Sequence, residues 1–120
     1  MARIIIFNRT KQKLNNKKIV SIARDQLKKR GNQDARIEVE IVGSRKIEKL
    51  NQKYMKRQGP TDVLSFPLPR ISTTDNLIGT IFLCHDIIKL NSIKNNVSFQ
   101  DELERNLRHG IDHLVGIHHD

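Results

Sequence analysis

The chain has 120 residues, of which 37% are hydrophobic and 29% charged, with one cysteine and a net charge of +9 counting histidine as neutral. That length predicts one domain over 1–120 with a modest core; apolar runs of about five residues are far short of the roughly 18 needed to cross a bilayer. A lone cysteine excludes an internal disulfide and fits a reducing compartment.

In chain order, ARIIIF reads as a first strand. KKIVSIARDQLKKRGN reads as a helix, with Ile19, Ile22, Ala23 and Gln26/Leu27 at helical spacing and Gly31 as its stop. In ARIEVEIVG, Ile37, Val39 and Ile41 alternate with Glu38 and Glu40, the pattern of a half-buried strand. Ser44 is the expected cap of a second helix, SRKIEKLNQKY, with Ile47, Leu50 and Tyr54 on its inner face. RQGPTD is turn chemistry. VLSFP and LIGTIFLC read as strands, separated by a flexible polar loop, PLPRISTTDN. HDIIKLNSIKN reads as a short helix; His85 is read as a helix-start or sheet-end residue in preference to a metal ligand, and Cys84 as a buried strand residue.

The last helix is the best marked. Ser98 followed by Asp101 resembles a capping box. Phe99, Leu103, Leu107, Ile111 and Leu114 form an apolar stripe, and Gly116 follows as a stop. The order β-α-β-α-β-β-α-α points to an α+β or α/β sandwich built on one sheet. The stripe must lie on that sheet, so this helix is central.

Charge is unevenly distributed. Residues 1–60 carry 17 Lys/Arg against 5 Asp/Glu, whereas residues 61–120 carry 5 against 8. A basic half on a small domain favours nucleic acid as partner over a mere solubility device. With one Tyr, four Phe and no Trp, the chain has little material for a base-stacking platform. The apolar patch of MARIIIFNRT is too short for a signal peptide, and no cleavage pattern follows it. The expectation is a cytoplasmic protein with no membrane partner.

Four of the five histidines lie in HGIDHLVGIHH, residues 109–119. His109 and His113 are four apart on a helix, so their side chains share one face. That face lies about 100° from the leucine stripe, on the helix flank, where it can look into a cleft. Gly116 lets the chain turn, and His119 can then swing back to the same point. Three imidazoles leaving a fourth position open are the donor set of a catalytic zinc. His118 is the alternative third ligand, with His119 favoured by spacing. Asp112 and Asp120 are either acceptors for the imidazole N–H groups or plain surface charges. The spacing matches the metzincin signature HExxHxxGxxH, but Gly110 stands where those peptidases carry their glutamate base. The metal pattern is retained and the peptidase base is absent.

PTDVLSFP (60–67), followed by HG-x2-HL-x-G-x2-H, resembles the YbeY family of endoribonucleases, the rRNA maturation factors. The resemblance runs from the N-terminal strand through LNQKY, PTDVLSFP, the Leu77–Cys84 strand and the histidines. It implies an α+β fold with a mixed sheet of about four strands packed with helices. It also implies one Zn2+ per chain on His109, His113 and His119, with Thr61, Asp62 and Ser65 at the edge of the substrate cleft. The implied activity is a single-strand-specific endoribonuclease in 16S rRNA 3′-end maturation and ribosome quality control. Its partners would be single-stranded RNA, rRNA precursor and the small ribosomal subunit.

The chain departs from the family pattern at three places. Met55 stands where the family usually has an arginine credited with a role in activity, leaving Arg57 and Lys56 as candidate catalytic cations. Thr80 replaces the acid of the family's LGDI stretch. The family also continues beyond the last histidine, whereas this chain ends at Asp120. Attack by an activated water and attack by the RNA 2′-hydroxyl both remain open. Two other readings stand beside the nuclease: a non-catalytic, zinc-stabilised ribosome- or RNA-binding module, and a metal-dependent hydrolase of another substrate.

Overall fold

The computed structural model describes residues 1–68 and 76–117. Its elements are β1 (Arg3–Asn8), α1 (Asn16–Lys29), β2 (Arg36–Val42), α2 (Ser44–Met55), β3 (Val63–Pro67), β4 (Leu77–Cys84), α3 (His85–Lys94) and α4 (Phe99–Leu114). The four strands form one mixed sheet in the order β1-β2-β4-β3. β1, β2 and β4 run parallel, and β3 pairs antiparallel with β4 at the edge. The expected α+β class and element order are what the chain adopts. The stretch 69–75, most of the expected polar loop, lies outside the described residues.

Strand register sorts the side chains into two faces. One face carries the cross-strand rows Ile4–Ile37, Ile6–Val39–Ile81–Ser65 and Ile41–Leu83–Val63. Against it pack Ile19, Ile22, Ala23 and Leu27 of α1 and Leu103, Leu107, Ile111 and Leu114 of α4, together with Ile88 of α3. This is the main core, and its apolar burial is the largest stabilising contribution. The opposite face is covered by α2, where Ile47 and Leu50 meet Val42, Leu64, Phe66, Phe82 and Cys84. α4 therefore lies on the sheet near the β4–β3 edge, and its flank is free to form one wall of a site there.

Two local expectations change. The cap of α2 is Gly43, with no side-chain hydrogen bond, and Ser44 is already the first helical residue. Tyr54 is 53% exposed rather than inward; its ring meets Phe66 edge-on at 5.4 Å. Asn51 takes the inner position, and its amide donates to the Gly59 carbonyl at 3.0 Å. The helix thus turns a polar residue inward to hold the following turn. The cap of α4 follows its sequence signal, whereas the cap of α1, Asn15, was not anticipated from the sequence. Asn15 accepts from the Lys18 N–H at 3.1 Å, and Ser98 accepts from the Asp101 N–H at 3.0 Å. Gly31 has φ +74°, the left-handed conformation that ends α1.

Gly79 shows how tightly β4 is fitted. A Cβ there would lie 2.5 Å from the Phe66 carbonyl oxygen and 2.6 Å from Leu114 Cδ2. Only a residue without a side chain lets the β3 backbone and the end of α4 approach β4 at this point.

Candidate functional site

A cavity of about 370 Å³ opens between the flank of α4, the start of β3 and the turn after α2. His109 and His113 line it, as their spacing predicts. Both are half-buried, and their ring centroids are 4.4 Å apart with planes inclined at 51°. They reach the cavity because the four-residue spacing puts them on the flank, while Leu107, Ile111 and Leu114 hold the helix to the sheet. The expected third imidazole, His119, lies outside the described residues, as do His118 and Asp120. Among the described residues no group of three or more His, Cys, Asp or Glu gathers. Two adjacent imidazoles at a cavity wall are suited to zinc, which takes neutral histidine nitrogens.

The second motif lines the facing wall. Thr61, Asp62 and Ser65 all border the same cavity. Ser65 does so because it shares the inner row with Ile81, at the sheet edge beside α4. Its hydroxyl donates to the Gly110 carbonyl at 3.0 Å, tying β3 to α4 next to the first histidine. The Asp62 carboxylate receives the Asn91 amide at 3.3 Å, and its backbone carbonyl accepts from the Cys84 N–H at 2.9 Å. The motif is thus a strand entry tied to α3, α4 and β4 that brings a hydroxyl and a carboxylate to the same cavity as the histidines.

Of the two candidate cations, Arg57 lines the cavity and Lys56 is not among its lining residues. Lys56 adopts φ 56°, ψ 33° as the left-handed cap of α2. Met55 also lines the cavity, so the position where an arginine was expected faces the site with an uncharged thioether.

Gly110 explains why no glutamate base is present. It is buried, and a Cβ there would lie 3.1 Å from Ile81 Cγ2 and Ser65 Oγ and 3.2 Å from Val63 Cγ2. The position faces the sheet rather than the cavity. The glycine lets α4 approach β3 and β4 closely enough for the Ser65 bond to form.

Asp112 corrects the reading of a plain surface charge. It is 4% exposed. Its carboxylate receives Arg30 Nε and Nη2, both at 2.8 Å, and Gln26 Nε2 at 2.7 Å. A two-pronged arginine–carboxylate pair of this kind is strong and orientation-specific. It locks the end of α4 to α1 one residue before His113. His85 starts α3, as expected, with its ring 4.8 Å from that of Phe99. Cys84 is buried, and burial pushes its thiol pKa up.

Two polar lining residues were not anticipated from sequence, Arg105 and Asn106. Arg105 pairs with Glu102, which is 2% exposed. The Arg105 guanidinium holds the Glu102 carboxyl below the usual carboxylate range, and the Asn95 and Asn106 amides add to this. Reciprocally, Glu102 raises the Arg105 pKa, and Asp62 contributes in the same direction. The i,i+3 and i,i+4 spacings of 102, 105 and 106 are visible in the sequence, but they are equally common on solvated helix faces.

The family profile described as Endoribonuclease YbeY matches residues 5–120. The chain is 36% identical over 87 residues to the Endoribonuclease YbeY of Thermotoga maritima, covering 72% of this chain and 55% of that protein. It is 34% identical over 90 residues to the Anaeromyxobacter protein of the same name, covering 75% of this chain and 47% of the relative. The Chlorobium luteolum protein, also named Endoribonuclease YbeY, is 30% identical over 111 residues, covering 92% of this chain and 79% of its own length. The alignments thus span about half the length of the first two relatives. A solution structure from Thermotoga maritima superposes with a TM-score of 0.59 at 30% identity, covering all of this chain and 75% of that one. The profile reaches from the first strand through the histidine helix and takes in both walls of the cavity: the chain belongs to the YbeY family.

Proposed function

We propose that the chain is a zinc-dependent endoribonuclease specific for single-stranded RNA, acting in 16S rRNA 3′-end maturation and ribosome quality control in the cytoplasm. The observation that carries this reading is the cavity in which His109 and His113 face Arg57, Thr61, Asp62 and Ser65. Three relatives at 30–36% identity bear the name endoribonuclease. No helix among the described residues is long and apolar enough to cross a membrane.

In this reading His109, His113 and His119 hold the metal. Bound there, zinc would supply Lewis acidity at the phosphate to be cleaved. Arg57 stabilises the charge that develops on the phosphate as the bond breaks. The Asp62 carboxylate, held by Asn91, accepts a hydrogen bond from a ribose hydroxyl and so favours RNA over DNA. Ser65, anchored on Gly110, keeps the edge strand at a fixed distance from the histidines. The basic N-terminal half holds the RNA backbone, so binding weakens as salt rises.

Met55 at the cavity wall favours one second reading, a zinc-stabilised RNA-binding module without cleavage. Metal removal separates the two. α4 is held by the core and by the Asp112–Arg30 pair, so the expected result of chelation is a folded protein that no longer cleaves single-stranded RNA and recovers when zinc is restored. Circular dichroism and a cleavage assay on matched single- and double-stranded substrates follow both properties. Unfolding on chelation, with no cleavage before it, would favour the binding module.

A further inference from the structure

Arg57 and Arg105 are the two cations among the residues lining the cavity. Arg57 follows α2, whereas Arg105 stands on α4 four residues before His109 and eight before His113. Side chains at these spacings stack along one helix flank, each step advancing about 6 Å. The flank therefore presents a guanidinium and two imidazoles in a line, all open to one cavity. We propose that Arg105 is a phosphate-binding residue of this site, holding a phosphate of the bound strand beside the histidine centre. The inference rests on the RNA-cleaving reading above and names the group on α4 that grips the backbone.

The surroundings of Arg105 fit this role. Its side chain is 60% exposed, although it pairs with the almost fully buried Glu102. Nη2 is the atom that meets Glu102, so the guanidinium is anchored from one side while its exposed remainder reaches the cavity. The anchor is itself fixed: Asn106 donates to the Glu102 carbonyl at 2.9 Å and to its carboxylate at 3.3 Å, and Asn95 donates to the other carboxylate oxygen at 3.3 Å. A planar guanidinium held in this way loses little rotamer freedom on binding a phosphate. Arg108, by contrast, is committed to α1 and its own helix, with Asp25 at 2.7 Å and Glu104 at 3.0 Å. It is not among the lining residues and serves as a control of equal charge.

The test is equilibrium binding of a fluorescein-labelled single-stranded phosphorothioate RNA to the zinc-loaded protein over a range of salt concentrations. Removing Arg105 alone would leave Glu102 buried without its partner. The informative comparison is therefore Glu102→Gln against the double variant Glu102→Gln/Arg105→Gln, in which no buried carboxylate remains. The single variant is expected to keep the wild-type salt slope. The double variant is expected to bind about tenfold more weakly, with the magnitude of the slope smaller by about 0.7, the loss of one phosphate contact on a single strand. Arg108→Gln is expected to keep the wild-type slope. Wild-type affinity and slope in both the single and the double variant would overturn this inference and leave the nuclease reading intact. Wild-type protein that neither binds nor cleaves the RNA would overturn both.

Discussion

Substituting His109 by alanine is expected to reduce cleavage of single-stranded RNA by about a thousandfold or more, while the protein stays folded. On the proposed reading His109 is one of three metal ligands, and its loss would remove a Lewis acid that contributes several kcal/mol to lowering the barrier. The fold survives because His109 is half-exposed on the flank of α4, whereas Leu103, Leu107 and Ile111 carry the packing. The check is a cleavage time course beside a thermal melt. Full activity in the repurified variant would contradict the site and assign the cleavage to a contaminating nuclease.

Restoring the glutamate of the metalloprotease pattern, Gly110→Glu, is expected to destabilise the protein by about 3 kcal/mol or more without creating peptidase activity. The Cβ alone would meet Ile81, Ser65 and Val63 at 3.1–3.2 Å. The carboxylate would then be forced between helix and sheet, and the Ser65–Gly110 bond that fixes the strand beside the site would be strained. A denaturant titration measures the loss as a lowered midpoint. Wild-type stability in this variant would show that α4 stands further from β3 and β4 than the 3.1–3.2 Å contacts of a Cβ at Gly110 require.

What was legible in the sequence is what depends on local spacing. Alternation in RIEVEIV marks β2, the Ser98/Asp101 pair and leucine stripe mark α4, and the i,i+4 histidines mark a shared flank. What was not legible depends on partners far away in the chain. Asp112 is buried because Arg30, 82 residues earlier, meets it. β3 lies at the sheet edge because β4 inserts beside β2, and chain order alone does not dictate this. The Gly43 cap and the outward turn of Tyr54 also escaped local rules, since Ser44 and an aromatic at helical spacing fit either outcome. Arg105 was hidden for a different reason: on sequence it is an ordinary surface cation, and only the cavity shows that it shares a wall with the histidines.

The central claim is a three-histidine zinc site at the end of α4. It is tested most directly by elemental mass spectrometry on tag-free protein, wild type beside His113→Ala. The expected result is about one zinc per wild-type chain and its loss in the variant. No zinc in the wild type, or equal zinc in both proteins, would contradict the site and the nuclease mechanism built on it.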